Sequence, residues 1–229
     1  MESKQTKTIY LAGGCFWGLE KLMQSIPGVL DAVSGYANGT SEADANYQTV
    51  CTGRTGFRET VRVTYDPNRV SLDQLLFAYF EVIDPTAINR QGHDAGTQYQ
   101  AGVYYGDTES QATVERVFAL ERARTPGFSV ENGPLKNFFP AEEYHQDYLD
   151  KNPYGYCHIS LSSADDPLFE FEVIKDTSNE KLKERIGELS FNVTQNAATE
   201  RPFTSEYEDF YKNTILNNRQ SFFLRYQLK

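Results

Sequence analysis

The sequence predicts an α+β fold, an α/β two-layer sandwich in which helices flank a mixed sheet. Short segments rich in β-branched and aromatic residues alternate with amphipathic segments of helical period along the chain. With 39% hydrophobic and 24% charged residues, the composition is typical of a globular protein. The 229 residues are enough for one full domain and part of another, since domains commonly contain roughly 100 to 200 residues.

The first elements are a predicted strand, a tight turn and a helix. The strand segment is TIYLAGG, whose two glycines end it where a helix could begin at Cys15. A Pro-Gly pair ends the following helix, since proline cannot continue it. The apolar residues of this helix share one face: Phe16, Leu19, Met23 and Ile26.

The segment RETVRVTYDP predicts a strand with one unusual position. Val61, Val63 and Tyr65 alternate with polar residues and therefore point to one face. Glu59 has the same parity, so we expect its carboxyl group on that apolar face.

The remaining segments complete the alternation. SLDQLLFAYFEVID predicts a helix that begins with a Ser71–Gln74 capping box. YQAGVYYG predicts a strand, TESQATVERVFALERAR a helix, and PAEEYHQDYLDKNP a polar helix that ends before Pro153. A polar stretch with an Asp-Pro pair follows Ser162, which favours a first domain over residues 1–162 and a linker over 163–180.

Charge and hydropathy exclude several function classes. The net charge of −10 argues against a nucleic-acid or anionic-membrane partner, which would require a basic face. No apolar run approaches the ~20 residues of a membrane span, and the first residues lack the apolar core of a secretory signal. We therefore expect a cytoplasmic protein.

The three cysteines indicate thiol chemistry or inert burial. Cys15, Cys51 and Cys157 form no C-x-x-C pair, so neither a structural zinc site nor a dense disulfide framework is predicted. A cysteine is nucleophilic as the thiolate, and backbone N–H groups at a helix start stabilise that charge. Phe16 and Trp17 would provide aromatic walls beside a reactive Cys15. A buried structural cysteine is the alternative.

The stretch GGCFWG resembles the active-site signature of peptide-methionine sulfoxide reductase A. The resemblance covers about residues 8 to 161, and five further segments follow in the order of that family. These segments are SGYANG at 34–39, NYQTVCTGRTGFRETVRVTYDP at 46–67, IDP at 83–85, QGHDAGTQYQAGVYY at 91–105 and AEEYHQDYLDKNPYGYCHI at 141–159.

The resemblance implies reduction of methionine S-sulfoxide, free or in proteins, to methionine. We expect a ferredoxin-like form of the two-layer sandwich. By this resemblance Cys15 is the nucleophile and Glu59 the proton donor. Tyr47 and Tyr99 are the two hydroxyl donors to the sulfoxide oxygen, and Asp94 is their polar partner. Phe16 and Trp17 form the two walls for the substrate methyl group.

The resemblance also implies how the enzyme is regenerated. Oxygen transfer would leave a sulfenic acid on Cys15, which Cys157 would convert to a Cys15–Cys157 disulfide. Thioredoxin would then reduce this disulfide directly, with no bound cofactor.

No metal is predicted, because His93, His145 and His158 lack metal-ligand spacing, and we expect them to be hydrogen-bonded scaffold or surface groups. Cys51 is expected to be buried and structural.

Residues 181–211 resemble the opening segment of a B-type methionine sulfoxide reductase. That enzyme needs its own catalytic cysteine downstream, and no cysteine follows Cys157. We therefore interpret residues 181–229 as the incomplete remnant of a truncated or frameshifted fusion, and expect no reduction of the R epimer.

Two other functions fit parts of the sequence. A papain-like thiol hydrolase is one, because His145 follows a cysteine near the start at a similar spacing. The local sequence G-G-C-F-W-G differs from the C-G-S/A-C-W of that family. A catalytically degenerate binding module is the other alternative. The joint presence of five residues argues against it: Cys15, Glu59, Tyr47, Tyr99 and Cys157.

Overall fold

The structure, a computed structural model, describes residues 6–159. Eight strands lie in this part of the chain: β1 (Lys7–Ala12), β2 (Val29–Ala37), β3 (Arg58–Tyr65), β4 (Arg90–Gln91), β5 (Asp94–Ala95), β6 (Gly102–Tyr105), β7 (Glu131–Pro134) and β8 (Phe138–Pro140). The α-helices of the same part are α1 (Phe16–Ser25), α2 (Tyr47–Val50), α3 (Leu72–Val82), α4 (Thr108–Arg124) and α5 (Tyr148–Lys151). Short 3-10 helices cover Glu42–Asp44, Thr97–Tyr99 and Glu143–His145.

Six of these strands form one mixed sheet in the order β7-β6-β1-β3-β2-β8. The strand β3 lies between β1 and β2 and is antiparallel to both, whereas β6 and β7 are parallel. The strands β4 and β5 form a separate hairpin. The predicted mixed α/β class with flanking helices is confirmed, while the finer ferredoxin-like prediction stays a prediction.

The predicted local patterns explain why the main helices form. In α1 the predicted apolar face is buried, and the helix packs against β2 and β3. At the start of α3, Ser71 Oγ accepts a hydrogen bond from the Gln74 backbone N–H at 3.3 Å. Gln74 Oε1 accepts in turn from the Ser71 N–H at 2.8 Å, which completes the predicted capping box.

The predicted polar helix before Pro153 forms only in part, as α5, because the chain breaks in the middle of the segment. Asp147 adopts a left-handed conformation with φ of 49° between the 3-10 helix Glu143–His145 and α5. The Asp147 N–H donates to the buried Glu20 carboxyl group at 2.9 Å, and the Gln146 side chain bonds the backbone of Ser34. These long-range bonds replace the helical ones.

Two groups of predictions remain to be placed. Within residues 6–159, no helix has the length and apolar character needed to cross a membrane. The predicted linker over 163–180 and the predicted remnant over 181–229 lie outside the described residues.

Candidate active site

Cys15 directly precedes the first turn of α1, in the connection between the strand β1 and this helix. Its side chain is 7% exposed. The turn requires Gly14, whose φ is +85° and where a Cβ would lie 2.5 Å from Gln91 Cβ. The glycine therefore lets the chain turn sharply and places the thiol at the helix N-terminus.

Glu59 approaches the same helix start from β3, as its strand parity predicted. Its carboxyl group is 2% exposed and accepts a hydrogen bond from the Phe16 backbone N–H at 3.2 Å. Burial raises the pKa of Glu59 to about 8, aided by the negative charge of Asp94 and opposed by the Phe16 hydrogen bond. At neutral pH this carboxyl group is therefore largely protonated.

Cys15 is a neutral thiol in the site without substrate. Burial, followed by the negative charge of Glu59, raises the pKa of Cys15, while the Trp17 backbone N–H lowers it. The helix N-terminus thus favours the thiolate, as the sequence indicated, but desolvation is the larger effect.

Three polar side chains named from the sequence come from separate segments. Tyr47 begins α2, Tyr99 ends the 3-10 helix Thr97–Tyr99, and Asp94 lies in β5. Burial raises the pKa of Tyr47 and of Tyr99, and the charge of Glu59 raises both further. Both phenols therefore keep their protons at neutral pH, and Glu59 is their shared electrostatic neighbour.

The two predicted aromatic walls differ in their packing. The Phe16 ring is fully buried, and its centroid lies 5.9 Å from that of Tyr36. Trp17 is partly buried and stacks on Tyr148, with centroids 3.7 Å apart and ring planes 11° apart. Trp17 Nε1 also donates to Nδ1 of His145 at 3.1 Å.

The segment around Cys157 lies across α1. A Cβ at Gly18 would lie 2.8 Å from Cys157 Sγ, so the absence of a side chain there lets the sulfur contact the helix that begins after Cys15. His158 Nε2 lies 3.0 Å from the Gly13 carbonyl oxygen, and the Tyr156 hydroxyl donates to Asp94 at 2.9 Å. Cys15, Cys51 and Cys157 are free cysteines in this structure.

A scan against protein-family models matches residues 7–177 to the peptide methionine sulfoxide reductase family. The chain belongs to this family. It is a peptide-methionine (S)-S-oxide reductase, an oxidoreductase that converts methionine sulfoxide to methionine.

Solved structures agree with this assignment. The reduced form of Mxr1 from Saccharomyces cerevisiae is 36% identical, with a TM-score of 0.64 over 68% of this chain and 92% of that one. Methionine sulfoxide reductase A of Corynebacterium diphtheriae is 38% identical, with a TM-score of 0.60 over 68% of this chain and 79% of that one. The reductase core is therefore similar in sequence and in fold to known members.

Membership in the reductase family removes the support for a papain-like hydrolase. That alternative required His145 to act as a base for Cys15. Nδ1 of His145 instead accepts a hydrogen bond from the indole N–H of Trp17, and the His145 ring is 1% exposed.

Within residues 6–159, no group of three or more His, Cys, Asp or Glu residues could hold a metal ion.

The remaining cysteine and the three histidines differ in their exposure. Cys51 is exposed, so the expectation of a buried structural thiol is wrong. It follows the last residue of the short helix α2, and a helix of one turn does not cover it. His93 is exposed, whereas His145 and His158 are hydrogen-bonded, as expected for scaffold or surface histidines.

Several residues around the reductase site are not among those predicted from the sequence. Glu142 accepts from the Tyr36 hydroxyl and from the Tyr47 backbone N–H, both at 2.8 Å. Glu20 accepts from the backbone N–H groups of Ser34 and Asp147 at 3.0 and 2.9 Å. A carboxylate among apolar residues of one helical face is the signal that could have found Glu20, since such a group needs partners when buried.

Proposed function

We propose that Cys15 and Glu59 carry out the first step of methionine S-sulfoxide reduction. The observation that carries this proposal is the buried, largely protonated carboxyl group of Glu59, which bonds the backbone N–H of the residue after Cys15. A sulfoxide oxygen is a poor leaving group until it is protonated or strongly hydrogen-bonded. Glu59 supplies that proton.

In this step the Cys15 sulfur attacks the sulfoxide sulfur. Glu59 donates a proton to the sulfoxide oxygen, and the thiol proton of Cys15 returns to Glu59. The protonated oxygen then passes from the substrate sulfur to the Cys15 sulfur, and the bond between the two sulfur atoms breaks with its electron pair left on the substrate. Cys15 becomes a sulfenic acid and the substrate leaves as methionine, so one thiol and one sulfoxide give one sulfenic acid and one sulfide. Tyr47 and Tyr99, which are neutral hydroxyl donors, hold the oxygen as charge builds on it.

The substrate methyl group lies against Phe16 and Trp17. Burial of a methyl group contributes roughly 1 kcal/mol, which orients a small sulfoxide without binding it tightly. Asp94 helps to shape the polar side of the site and also accepts a hydrogen bond from Tyr156. Free methionine sulfoxide and sulfoxide in proteins both present the group that this site would bind.

Cys157 then resolves the sulfenic acid. Its thiol condenses with Cys15–SOH, which releases water and forms a Cys15–Cys157 disulfide. Thioredoxin, a dithiol reductant, reduces this disulfide by thiol–disulfide exchange and returns both thiols. We place this cycle in the cytoplasm, where a reducing environment keeps thiols free.

The first prediction tests the nucleophile and the stereochemistry together. The wild-type protein with dithiothreitol is expected to reduce a peptide that contains methionine S-sulfoxide and to leave the R epimer unchanged. The Cys15→Ser variant is expected to lose all turnover, whereas Cys51→Ser, a matched control at an exposed thiol, retains it. Turnover is measured by chromatography of the separated epimers.

Reduction of the S epimer by Cys15→Ser would disprove the assignment of the nucleophile. Reduction of the R epimer at a comparable rate would disprove the proposed incomplete B-type remnant over residues 181–229.

A further inference from the structure

The Glu142 carboxylate connects two segments of the reductase site and has no role in the proposed chemistry. Its Oε1 accepts a hydrogen bond from the Tyr47 backbone N–H, and its Oε2 accepts one from the Tyr36 hydroxyl, both at 2.8 Å. Burial raises the pKa of Glu142, but these two hydrogen bonds, among other contacts, lower it by more. Glu142 is therefore an ionised acceptor for two donors that lie 95 and 106 positions away in the chain.

The bond to Tyr47 fixes the start of the short helix α2. The first N–H groups of a helix have no partner within it, and a helix of one turn is not stable by itself. Asn46 Oδ1 accepts a hydrogen bond from the Thr49 N–H at 3.1 Å, and Glu142 accepts the one from the Tyr47 N–H. These two side chains therefore hold the backbone from which the Tyr47 side chain extends.

Tyr36 anchors Glu142 to the sheet at the position of Glu59. In the antiparallel pair of β2 and β3, Tyr36 lies directly opposite Glu59, so both side chains point to the same face. The Tyr36 ring is fully buried, and this burial, together with the hydrogen bond to Glu142, raises the pKa of its phenol. The phenol thus remains a donor at neutral pH. Glu142 consequently connects the sheet position that carries Glu59 with the backbone of Tyr47.

We propose that Glu142 is a positioning residue: anchored on β2, it holds Tyr47 where the phenol hydroxyl meets the sulfoxide oxygen that Glu59 protonates. This inference rests on the proposed function, in which Tyr47 and Glu59 act on the same oxygen. A hydroxyl donor stabilises charge on that oxygen only at hydrogen-bond distance. Without Glu142, the first turn of α2 is free to shift, and the hydroxyl moves with it.

The second hydroxyl donor, Tyr99, partly hides the contribution of Tyr47. Tyr99 comes from a different segment, the 3-10 helix Thr97–Tyr99. Loss of Glu142 therefore leaves one donor in place in the wild-type protein. Substitution of Tyr99 by phenylalanine makes Tyr47 the single hydroxyl donor of the proposed site, so the effect of Glu142 is measured best in that background.

The test compares Glu142→Ala in two backgrounds by the single-turnover rate at which methionine forms. In a Tyr99→Phe protein, Glu142→Ala is expected to lower this rate about 10-fold, which is less than the loss of a whole donor costs. In a Tyr47→Phe protein, Glu142→Ala is expected to cause no further change, because no hydroxyl is left to position. A merely structural role would slow both backgrounds equally, and that result would overturn the proposal.

A conservative variant and a neighbouring control accompany this comparison. Glu142→Gln keeps a carbonyl oxygen for the Tyr47 N–H, and its amide can donate to the Tyr36 hydroxyl oxygen. Its rate in the Tyr99→Phe background is expected to stay close to that of the parent. Glu143→Ala, at the next residue with a side chain 91% exposed, is expected to leave the rate unchanged. An equal loss in Glu143→Ala would overturn the proposal.

Amide hydrogen exchange, measured by NMR, tests the contact without any assay of activity. The Tyr47 N–H is expected to exchange about 10-fold faster in Glu142→Ala than in the wild type, because its acceptor is gone, and to remain protected in Glu142→Gln. The Gln74 N–H, which Ser71 accepts at the start of α3, is the control with an unchanged rate. Unchanged exchange at Tyr47 in Glu142→Ala would overturn the proposal.

A second variant keeps the proposal testable if Glu142→Ala fails to fold by circular dichroism. Tyr36→Phe removes only the hydroxyl that anchors Glu142, and it is expected to slow single turnover in the Tyr99→Phe background but not in the Tyr47→Phe background. Equal slowing in both would overturn the proposal. Absence of sulfoxide reduction by the wild type would overturn the proposed function, while the exchange rates would still decide the contact between Glu142 and Tyr47.

Discussion

Glu59 and Cys15 show how burial sets the protonation of individual residues at this site. The carboxyl group is 2% exposed and the thiol 7% exposed, and desolvation is the largest cause of the raised pKa of each. Two neutral acids side by side are suited to oxygen transfer, because one proton can move to the sulfoxide oxygen as the other leaves sulfur. The negative charge that attack requires is therefore expected to develop only when substrate is present.

The second prediction concerns the proton of Glu59. Glu59→Gln retains an acceptor for the Phe16 N–H but has no acidic proton, so the first reduction is expected to slow by on the order of 100-fold or more. In the wild type, single-turnover rates are expected to fall as the pH rises through about 8, where the carboxyl group ionises. Rapid-quench measurement of methionine formed before any disulfide reduction gives both results.

His93→Gln, at an exposed position, serves as the control for Glu59→Gln. An unchanged rate for Glu59→Gln would show that another group donates the proton.

At the scale of elements, three parts of the chain converge on the start of α1. The strand β3 brings Glu59, α2 brings Tyr47, and the segment of residues 156–159 brings Cys157. The last segment is held by side-chain and backbone contacts with Asp94 and Gly13. The second thiol thus lies against α1, the helix that begins directly after Cys15.

The third prediction tests this element. Cys157→Ser is expected to form one equivalent of methionine per protein and then to stall when thioredoxin is the reductant, since the sulfenic acid on Cys15 has no partner thiol. Mass spectrometry of the stalled protein is expected to show one added oxygen. Cys51→Ser, whose exposed thiol has no assigned role, is expected to turn over normally. Sustained turnover of Cys157→Ser with thioredoxin would mean that Cys157 is not the resolving cysteine.

At the scale of the whole molecule, two buried carboxyl groups link stability to pH. Burial raises the pKa of Glu20 to about 7 and that of Glu59 to about 8, whereas both are near 4.5 in an unfolded chain. A raised pKa in the folded state means that the stabilisation is fully present below the unfolded pKa and is lost as the pH rises through the folded pKa. The contribution of these groups therefore declines between about pH 5 and pH 8.

The fourth prediction follows from the raised pKa of Glu59 in the folded protein. The free energy of unfolding in urea is expected to fall from pH 5 to pH 8 in the wild type, and to fall less in Glu59→Gln, by about 1 kcal/mol or more. The comparison between the two proteins cancels the groups that they share. An equal pH dependence in both would show that Glu59 titrates normally in the folded protein.

Much of the fold and site was predictable because the signals are local. The capping box at Ser71, the apolar face of α1 and the strand parity of Glu59 each depend on residues a few positions apart. The family resemblance likewise depends on short segments, and these segments contain Cys15, Glu59 and Cys157. The break at Asp147 was not predictable, because its cause is Glu20, 127 positions away in the chain.

The sequence by itself determined the family and the reaction, and it identified the residues that we propose to perform it, since these are carried by contiguous motifs. The tertiary structure alone decided the neutral state of Cys15, the proton on Glu59, the exposure of Cys51 and the bond between Trp17 and His145. Each of these depends on how much water a group loses and on which distant group it meets. Desolvation and hydrogen bonding between segments far apart in the chain are set only when the sheet and helices pack.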